Sequence, residues 1–326
     1  MGVEIISSAY YLPENVMTNE DWAKIVDTSD EWITTRTGIK HRHIALKDQA
    51  TSDLVTIASK KALEKAMINT DEIDLVLVST VTPDNFYPST ANWVQNKLNL
   101  RPVPSFDIAA ACCGFLYGLI VAHSLIESNI VNTVLLAGAE TMTKVVNWED
   151  RNTAVLFGDG AGVLILRKTL DNSKGLIGYS WGSDGSLGNL LIQPAGGSAM
   201  PASFETVEKK LHTVHMSGNE VFKYAVMKMC EAAHKALDNA HVAIDDIDLF
   251  IPHQANIRII DAVQKRFNMD DDKIYKIIHE VGNMSSATIP VAIAMAIDEG
   301  RLKLGSKVLL SAFGAGFTWA GAVIQL

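Results

Sequence analysis

Lys61-Ala-Leu-Glu-Lys-Ala-Met-Ile-Asn-Thr-Asp-Glu-Ile-Asp-Leu75 returns 174 residues later, without a gap, as Lys235-Ala-Leu-Asp-Asn-Ala-His-Val-Ala-Ile-Asp-Asp-Ile-Asp-Leu249. The copies share the lysine, two alanines, both leucines, two aspartates and the isoleucine. Each reads as the end of a helix, a polar turn and the start of a buried strand, the first strand running from Ile73 to Ser79. The echo continues in Val94-Gln95 against Val263-Gln264, and in Val134-Leu-Leu136 against Val308-Leu-Leu310. Ile126-Glu127 matches Ile297-Asp298 at an offset of 171, a register that places Cys112 opposite Asn283. Two copies of one strand–helix unit, residues 1–172 and 173–326, predict an α/β sandwich with mixed sheets packed as one body.

Outward from the repeat, Val3 to Ala9 predicts a strand and Leu12-Pro-Glu-Asn15 a turn. Thr28-Ser-Asp-Glu-Trp-Ile-Thr-Thr-Arg36 predicts a capped helix start, followed by a helix from Asp53 to Ala66. Val103 to Ile108 predicts a strand that gives way to a helix near Cys112. The apolar stretch Phe115 to Ile126, interrupted by His123, is too short to span a bilayer and predicts a buried core helix. Residues 194–215 have loop composition and are placed at the surface; Met216 onward starts a long helix. Phe157-Gly-Asp-Gly-Ala-Gly162 has the glycines of a dinucleotide loop, but an apolar strand, Val163-Leu-Ile-Leu166, follows where that fingerprint needs a helix. Nicotinamide binding is rejected on that ground.

A net charge of -9 argues against nonspecific nucleic-acid binding. Three cysteines are too few for a disulfide framework, and no Cys/His cluster has zinc spacing, so no metal is expected. Met1 to Ile6 lacks the basic segment of a signal peptide, and a soluble cytoplasmic protein is expected.

The chemistry centres on Asp107-Ile-Ala-Ala-Ala-Cys-Cys-Gly-Phe115. A cysteine at a helix N-terminus meets unpaired N–H groups and the positive end of the helix dipole, which lower its pKa toward neutrality. Two small core hydrophobes, Cys112 and Cys113, are the plainer reading. His253 follows the strand Asp248 to Ile251 at its C-terminal edge, where α/β proteins place ligands. Asn283 opens another helix. Trp32 and Arg36, four apart, share a face, which suits either an adenine and a phosphate or a surface cation–π contact. Phe313-Gly-Ala-Gly-Phe317 is either a second source of oxyanion N–H groups or a tight turn.

Ala111-Cys-Cys-Gly-Phe115, Pro252-His-Gln-Ala-Asn256, Gly282-Asn283 and Phe313-Gly-Ala-Gly-Phe-Thr-Trp319, in this order and spacing, resemble β-ketoacyl-acyl carrier protein synthase III. This is the initiating condensing enzyme of type II fatty-acid synthesis. The resemblance runs the length of the chain and implies the thiolase fold, a duplicated five-layer αβαβα sandwich. It implies Cys112 as the nucleophile that takes an acyl group from acyl-CoA, with acetyl-CoA as the expected primer. His253 and Asn283 would be the donors to the thioester oxygen of malonyl-acyl carrier protein. The backbone N–H groups of Cys112 and Ala315 would form the oxyanion hole. Trp32, Arg36, Arg151 and Asn256 match coenzyme-binding positions; Lys223, Arg258, Lys265 and Arg266 match the docking patch for the acidic carrier protein. Tyr87 matches an acyl-pocket aromatic that reaches across a dimer interface, so a homodimer is implied. The coenzyme is a substrate, and no cofactor is expected. Cys113 stands where the family usually has alanine or serine, and Ala315 replaces a frequent glycine. Rival readings are a condensing enzyme of secondary metabolism and a cysteine-dependent acyl-CoA hydrolase. A thiolase would want a second cysteine where Ala315 stands, and a hydroxymethylglutaryl-CoA synthase an acidic base.

Overall fold

Leu75 to Ser79 is apolar on both faces, which a strand can satisfy only inside a sheet covered on both sides by helices. The computed structural model, which describes residues 2–326, contains that arrangement twice. The first sheet uses β1 (Gly2–Tyr11), β2 (Leu75–Ser79), β3 (Ser105–Ile108), β4 (Thr133–Thr141) and β5 (Asp159–Thr169), in the order β1-β5-β4-β2-β3. Strand β2 runs parallel to β3 and β4, and β5 antiparallel to β1 and β4. The second sheet uses β6 (Gly175–Ser183), β7 (Leu249–Pro252), β8 (Lys307–Gly314) and β9 (Thr318–Gln325), in the order β6-β9-β8-β7. That is the same topology with the last strand reduced to a single parallel bridge, Phe250 to Ile274.

The helices that matter for the site are α1 (Asp30–Thr37), α2 (Thr51–Ala66), α3 (Gly114–Glu127), α4 (Gly218–Ala240), α5 (Ile257–Phe267) and α6 (Thr288–Asp298). Helices α3 and α6 lie between the sheets. Leu116 and Leu119 of α3 and Ile289 and Ile293 of α6 share one core with Leu77 and Leu136 of the first sheet and Ile251 and Leu310 of the second. On the outer face of the first sheet α2 packs Leu54, Val55 and Ala58 with Val76, Val78 and Val163. On the outer face of the second, Met229 and Ala233 of α4 and Ile260 of α5 pack with Phe250, Leu309 and Val323. Neighbours such as Leu77 and Val78 thus face opposite helical layers, as the two-residue strand period requires. The result is the five-layer α/β sandwich.

The repeat holds in detail, with one correction to its register. Met67 and His241, which end α2 and α4, both have φ 53 and ψ 39. The turn Ala111–Cys113 before α3 recurs as Ser285–Ala287 before α6, with φ 47 at Ala111 and φ 45 at Ser285. Cys112 therefore corresponds to Ser286, not to Asn283. The expected register fails because α6 is 11 residues long against 14 for α3, so aligning the helix ends slips their starts by one turn.

The glycines of Phe157–Gly162 have a packing role. A Cβ on Gly160 would lie 2.6 Å from the Met284 sulfur, and one on Gly162 2.5 Å from the Val291 nitrogen. They let β5 approach the segment that carries Asn283. Residues 194–215 are more regular than expected: Ser203 caps a short helix, Phe204–Glu208, and His215–Met216 pairs with Leu191–Ile192. Among the described residues, no helix is long and apolar enough to cross a membrane.

Candidate active site

Strand β3 ends into the Ala111–Cys113 turn, which delivers Cys112 to the N-terminus of α3. Strand β7 ends at Pro252, and the next residue, His253, is held by its N–H to the Ser311 carbonyl of β8 at 2.8 Å. Asn283 is clamped to the first half: its N–H donates to Leu156 O at 2.9 Å and its carbonyl accepts from Gly158 N–H at 3.1 Å. Cys112, His253 and Asn283 line one cavity of about 530 Å³.

Phe313 and Gly314 complete the floor. A Cβ on Gly314 would lie 2.7 Å from the Cys112 nitrogen, so the β8–β9 loop, with half-buried Ala315 at its start, abuts the cysteine backbone. Trp32, Arg36, Arg151, Asn256 and Arg258 line the same cavity. The guanidinium carbons of Arg36 and Arg151 sit 4.6 and 5.0 Å from the centre of the Trp32 ring. Arg151 also donates to the Asp27 carbonyl at 2.6 Å. Asn256 caps α5, its side chain accepting from Arg258 N–H at 2.9 Å. Lys223 on α4 and Arg258, Lys265 and Arg266 on α5 are exposed.

One expectation needs correction. The Cys112 thiol is pushed up to about 12 rather than lowered, because burial penalises its charged form and the Glu140 carboxylate adds to that penalty; a Ser285 hydrogen bond offsets it only partly. Cys112 thus starts as a thiol. Tyr87 does not line the cavity of its own chain: it is 88% exposed, beside Phe86 at 80%. The reason is position, because the 85–91 segment lies beside the edge strand β3, where the Asp107 carboxylate accepts from Thr90 and Ala91 N–H. Cys113, the second thiol, is fully buried and lies outside the cavity lining.

Family models described as 3-oxoacyl-[acyl-carrier-protein] synthase III and its C-terminal part match residues 106–185 and 237–326. A β-ketoacyl-[acyl-carrier-protein] synthase III of Caldanaerobacter subterraneus is 50% identical over 321 residues, 98% of this chain and 97% of that one. One from Campylobacter fetus is 50% identical over 322 residues, 98% of this chain and 97% of its own. The chain belongs to the 3-oxoacyl-[acyl-carrier-protein] synthase III family. The crystal structure of the Aquifex aeolicus synthase III superposes with a TM-score of 0.92 at 42% identity, covering 100% of both chains. Like other synthase III enzymes, the protein has the thiolase fold and is a condensing acyltransferase of fatty-acid synthesis.

Within this synthase III the sequence concealed the groups that hold the site. Gln254 is fully buried and satisfied at both ends: its Nε2 donates to the carbonyls of Pro252 and Tyr275, and its Oε1 accepts from Ile277 and Ile278 N–H. The buried Glu140 carboxylate gathers the hydroxyls of Thr80, Thr82 and Ser286 and three backbone N–H groups, joining β4 to the turn before α6. Ser285 N–H donates to Asn283 Oδ1 at 2.8 Å, which leaves the amide nitrogen for the cavity. Among the described residues, no group of three or more His, Cys, Asp or Glu is placed to hold a metal ion.

Proposed function

We propose that the protein joins a short acyl group from acyl-CoA, acetyl-CoA first, to malonyl-acyl carrier protein in two half-reactions at this cavity. The observation that carries the reading is the meeting of Cys112, His253 and Asn283 on one cavity whose wall also holds Trp32, Arg36 and Arg151. The coenzyme lies along that wall, its adenine against Trp32 and its phosphates at the arginines, with Asn256 beside them. In the first half-reaction the Cys112 sulfur bonds to the acyl carbon, the bond from that carbon to the coenzyme sulfur breaks, and the thiol proton ends on the departing coenzyme. The oxyanion rests on the N–H groups of Cys112 and Ala315.

In the second, the bond between malonyl carbon and carboxylate breaks, carbon dioxide leaves, and the electron pair spreads onto the thioester oxygen. His253 and Asn283 donate to that oxygen. The His253 pKa is lowered to about 3 by burial, so the imidazole is neutral and donates without a charge of its own. The enolate carbon then attacks the acyl-cysteine, and the released thiolate takes a proton from water. The carrier protein docks at Lys223, Arg258, Lys265 and Arg266. A second copy of the chain meets the edge strand β3, where Phe86, Tyr87 and Phe106 are exposed, and brings Tyr87 to its partner's acyl pocket.

The test is intact-protein mass spectrometry after mixing with a panel of acyl-CoA primers, alongside decarboxylation of malonyl carrier protein. The protein is expected to gain one acyl group at Cys112. His253→Ala is expected to acylate as before and to lose decarboxylation by about 100- to 1,000-fold, the cost of one missing oxyanion donor. Equal loss of both half-reactions would remove His253 from its assigned role.

A further inference from the structure

His253 is fully buried, and its Nε2 has no hydrogen-bond partner within the protein, while its Nδ1 lies 2.6 Å from the Thr288 hydroxyl. A neutral imidazole carries one proton, and the group opposite Nδ1 decides which nitrogen holds it. Thr288 Oγ1 has a second neighbour, the Ser285 carbonyl at 3.1 Å. That carbonyl accepts the backbone N–H of Thr288 and has a second lone pair for the hydroxyl, so the single hydroxyl hydrogen faces two acceptors. The shorter of its two contacts, 2.6 Å against 3.1 Å, is the one to Nδ1.

We propose that Thr288 is a positioning residue that fixes the tautomer of His253, donating to Nδ1 so that Nε2 carries the hydrogen offered to the thioester oxygen. Together with the Ser285 N–H that orients Asn283, this makes the single turn from Ser285 to Thr288 the device that aims both donors of the decarboxylation step. The inference rests on the donor role of His253 argued above. It goes further in assigning the polarity of the ring to a residue that touches no substrate.

The test uses two variants of the full-length enzyme, Thr288→Val, which keeps the shape and removes the hydroxyl, and Thr288→Ser, which restores it. Nitrogen-15 NMR of histidine-labelled protein, with His253→Ala to assign the signal, reads the tautomer without any substrate. Wild type and Thr288→Ser are expected to hold the hydrogen on Nε2, and Thr288→Val to lose that preference. In the same variants decarboxylation of malonyl carrier protein should fall by roughly 10- to 100-fold in Thr288→Val and recover in Thr288→Ser, with acylation of Cys112 unchanged. An Nδ1–H ring in wild type, or an unaltered Nε2–H ring in Thr288→Val, overturns the inference whatever the rates. Loss of both half-reactions together, with no tautomer change, also overturns it by marking Thr288 as structural. Wild-type decarboxylation by His253→Ala would instead discard the donor role itself, a failure the substrate-free spectrum keeps separate.

Discussion

His253 is held neutral by burial, and that has a consequence for stability as well as catalysis. In the unfolded chain the ring takes up a proton below about 6.5, whereas the fold refuses it down to about 3. The unfolded state binds more protons in this window, so stability is fully present above pH 6.5 and falls as pH drops through it, by at most about 1.4 kcal/mol per pH unit. Urea unfolding of wild type and His253→Gln at pH 7.5 and pH 5 checks this: the wild type should lose stability relative to the variant at the lower pH. Parallel losses would mean that the ring is not kept neutral. At this scale the sequence displayed the groups that meet on the cavity, because a cysteine at a strand–helix junction and a histidine after a strand-ending proline are visible in a linear pattern. It misjudged the thiol, since burial is set by what other segments bring to Cys112. Thr288 and Gln254 were invisible for the same reason: their partners, His253 and the Tyr275–Ile278 segment, are tertiary neighbours.

The elements that carry the site are positioned by how closely a strand can approach a helix. Gly162 of β5 stands where a Cβ would come 2.5 Å from the Val291 nitrogen and 2.6 Å from the Pro290 carbonyl carbon, both backbone atoms of α6. Gly162→Ala must push α6 away from β5. Overpacking of this kind costs about 1–3 kcal/mol, and because α6 begins at Thr288, decarboxylation should weaken as well. Gly197→Ala, in open space, is the control and should leave both unchanged. Thermal melting and the malonyl carrier protein assay report the two effects; an unaffected Gly162→Ala would mean that α6 does not depend on this contact. The repeat made the strand–helix units legible, since Lys61 to Leu75 and Lys235 to Leu249 preserve hydrophobic positions without a gap. Its register across α3 and α6 was misleading, because a shortened helix and a lengthened connection cancel before the next strand and leave no trace in the spacing of Val134 and Val308.

Across the whole molecule the two copies have diverged around a common centre. Cys112 packs against Gly314, which leaves room for its backbone, whereas the matching Ser286 is tied to the buried carboxylate of Glu140. In the proposed reaction one half supplies the nucleophile to the cavity and the other the donors. The proposed docking of an acidic carrier depends on the surface, where the charges are unevenly placed. The chain carries a net charge of -9, yet Lys223, Arg258, Lys265 and Arg266 are exposed on α4 and α5, and Arg258 also lines the cavity and lies 5.6 Å from the Phe222 ring. An acidic carrier approaching this molecule is repelled by the total charge and drawn in by the local one, so the patch should act mainly on the rate of encounter. Lys265 and Arg266 stand in the last turn of α5, where they also favour the helix dipole, so reversal has a small structural cost of about 0.3–1 kcal/mol that must be separated from docking. Acylation by acyl-CoA provides the separation, because that half-reaction needs no carrier. Lys265→Glu with Arg266→Glu is expected to acylate Cys112 at the wild-type rate and to lose roughly tenfold or more in kcat/KM for malonyl carrier protein at low salt. Raising the ionic strength should narrow the difference, since wild-type attraction and variant repulsion are both screened beyond about 10 Å at 0.1 M salt. A loss that persists at high salt, or that extends to acylation, would place the docking surface elsewhere on the molecule.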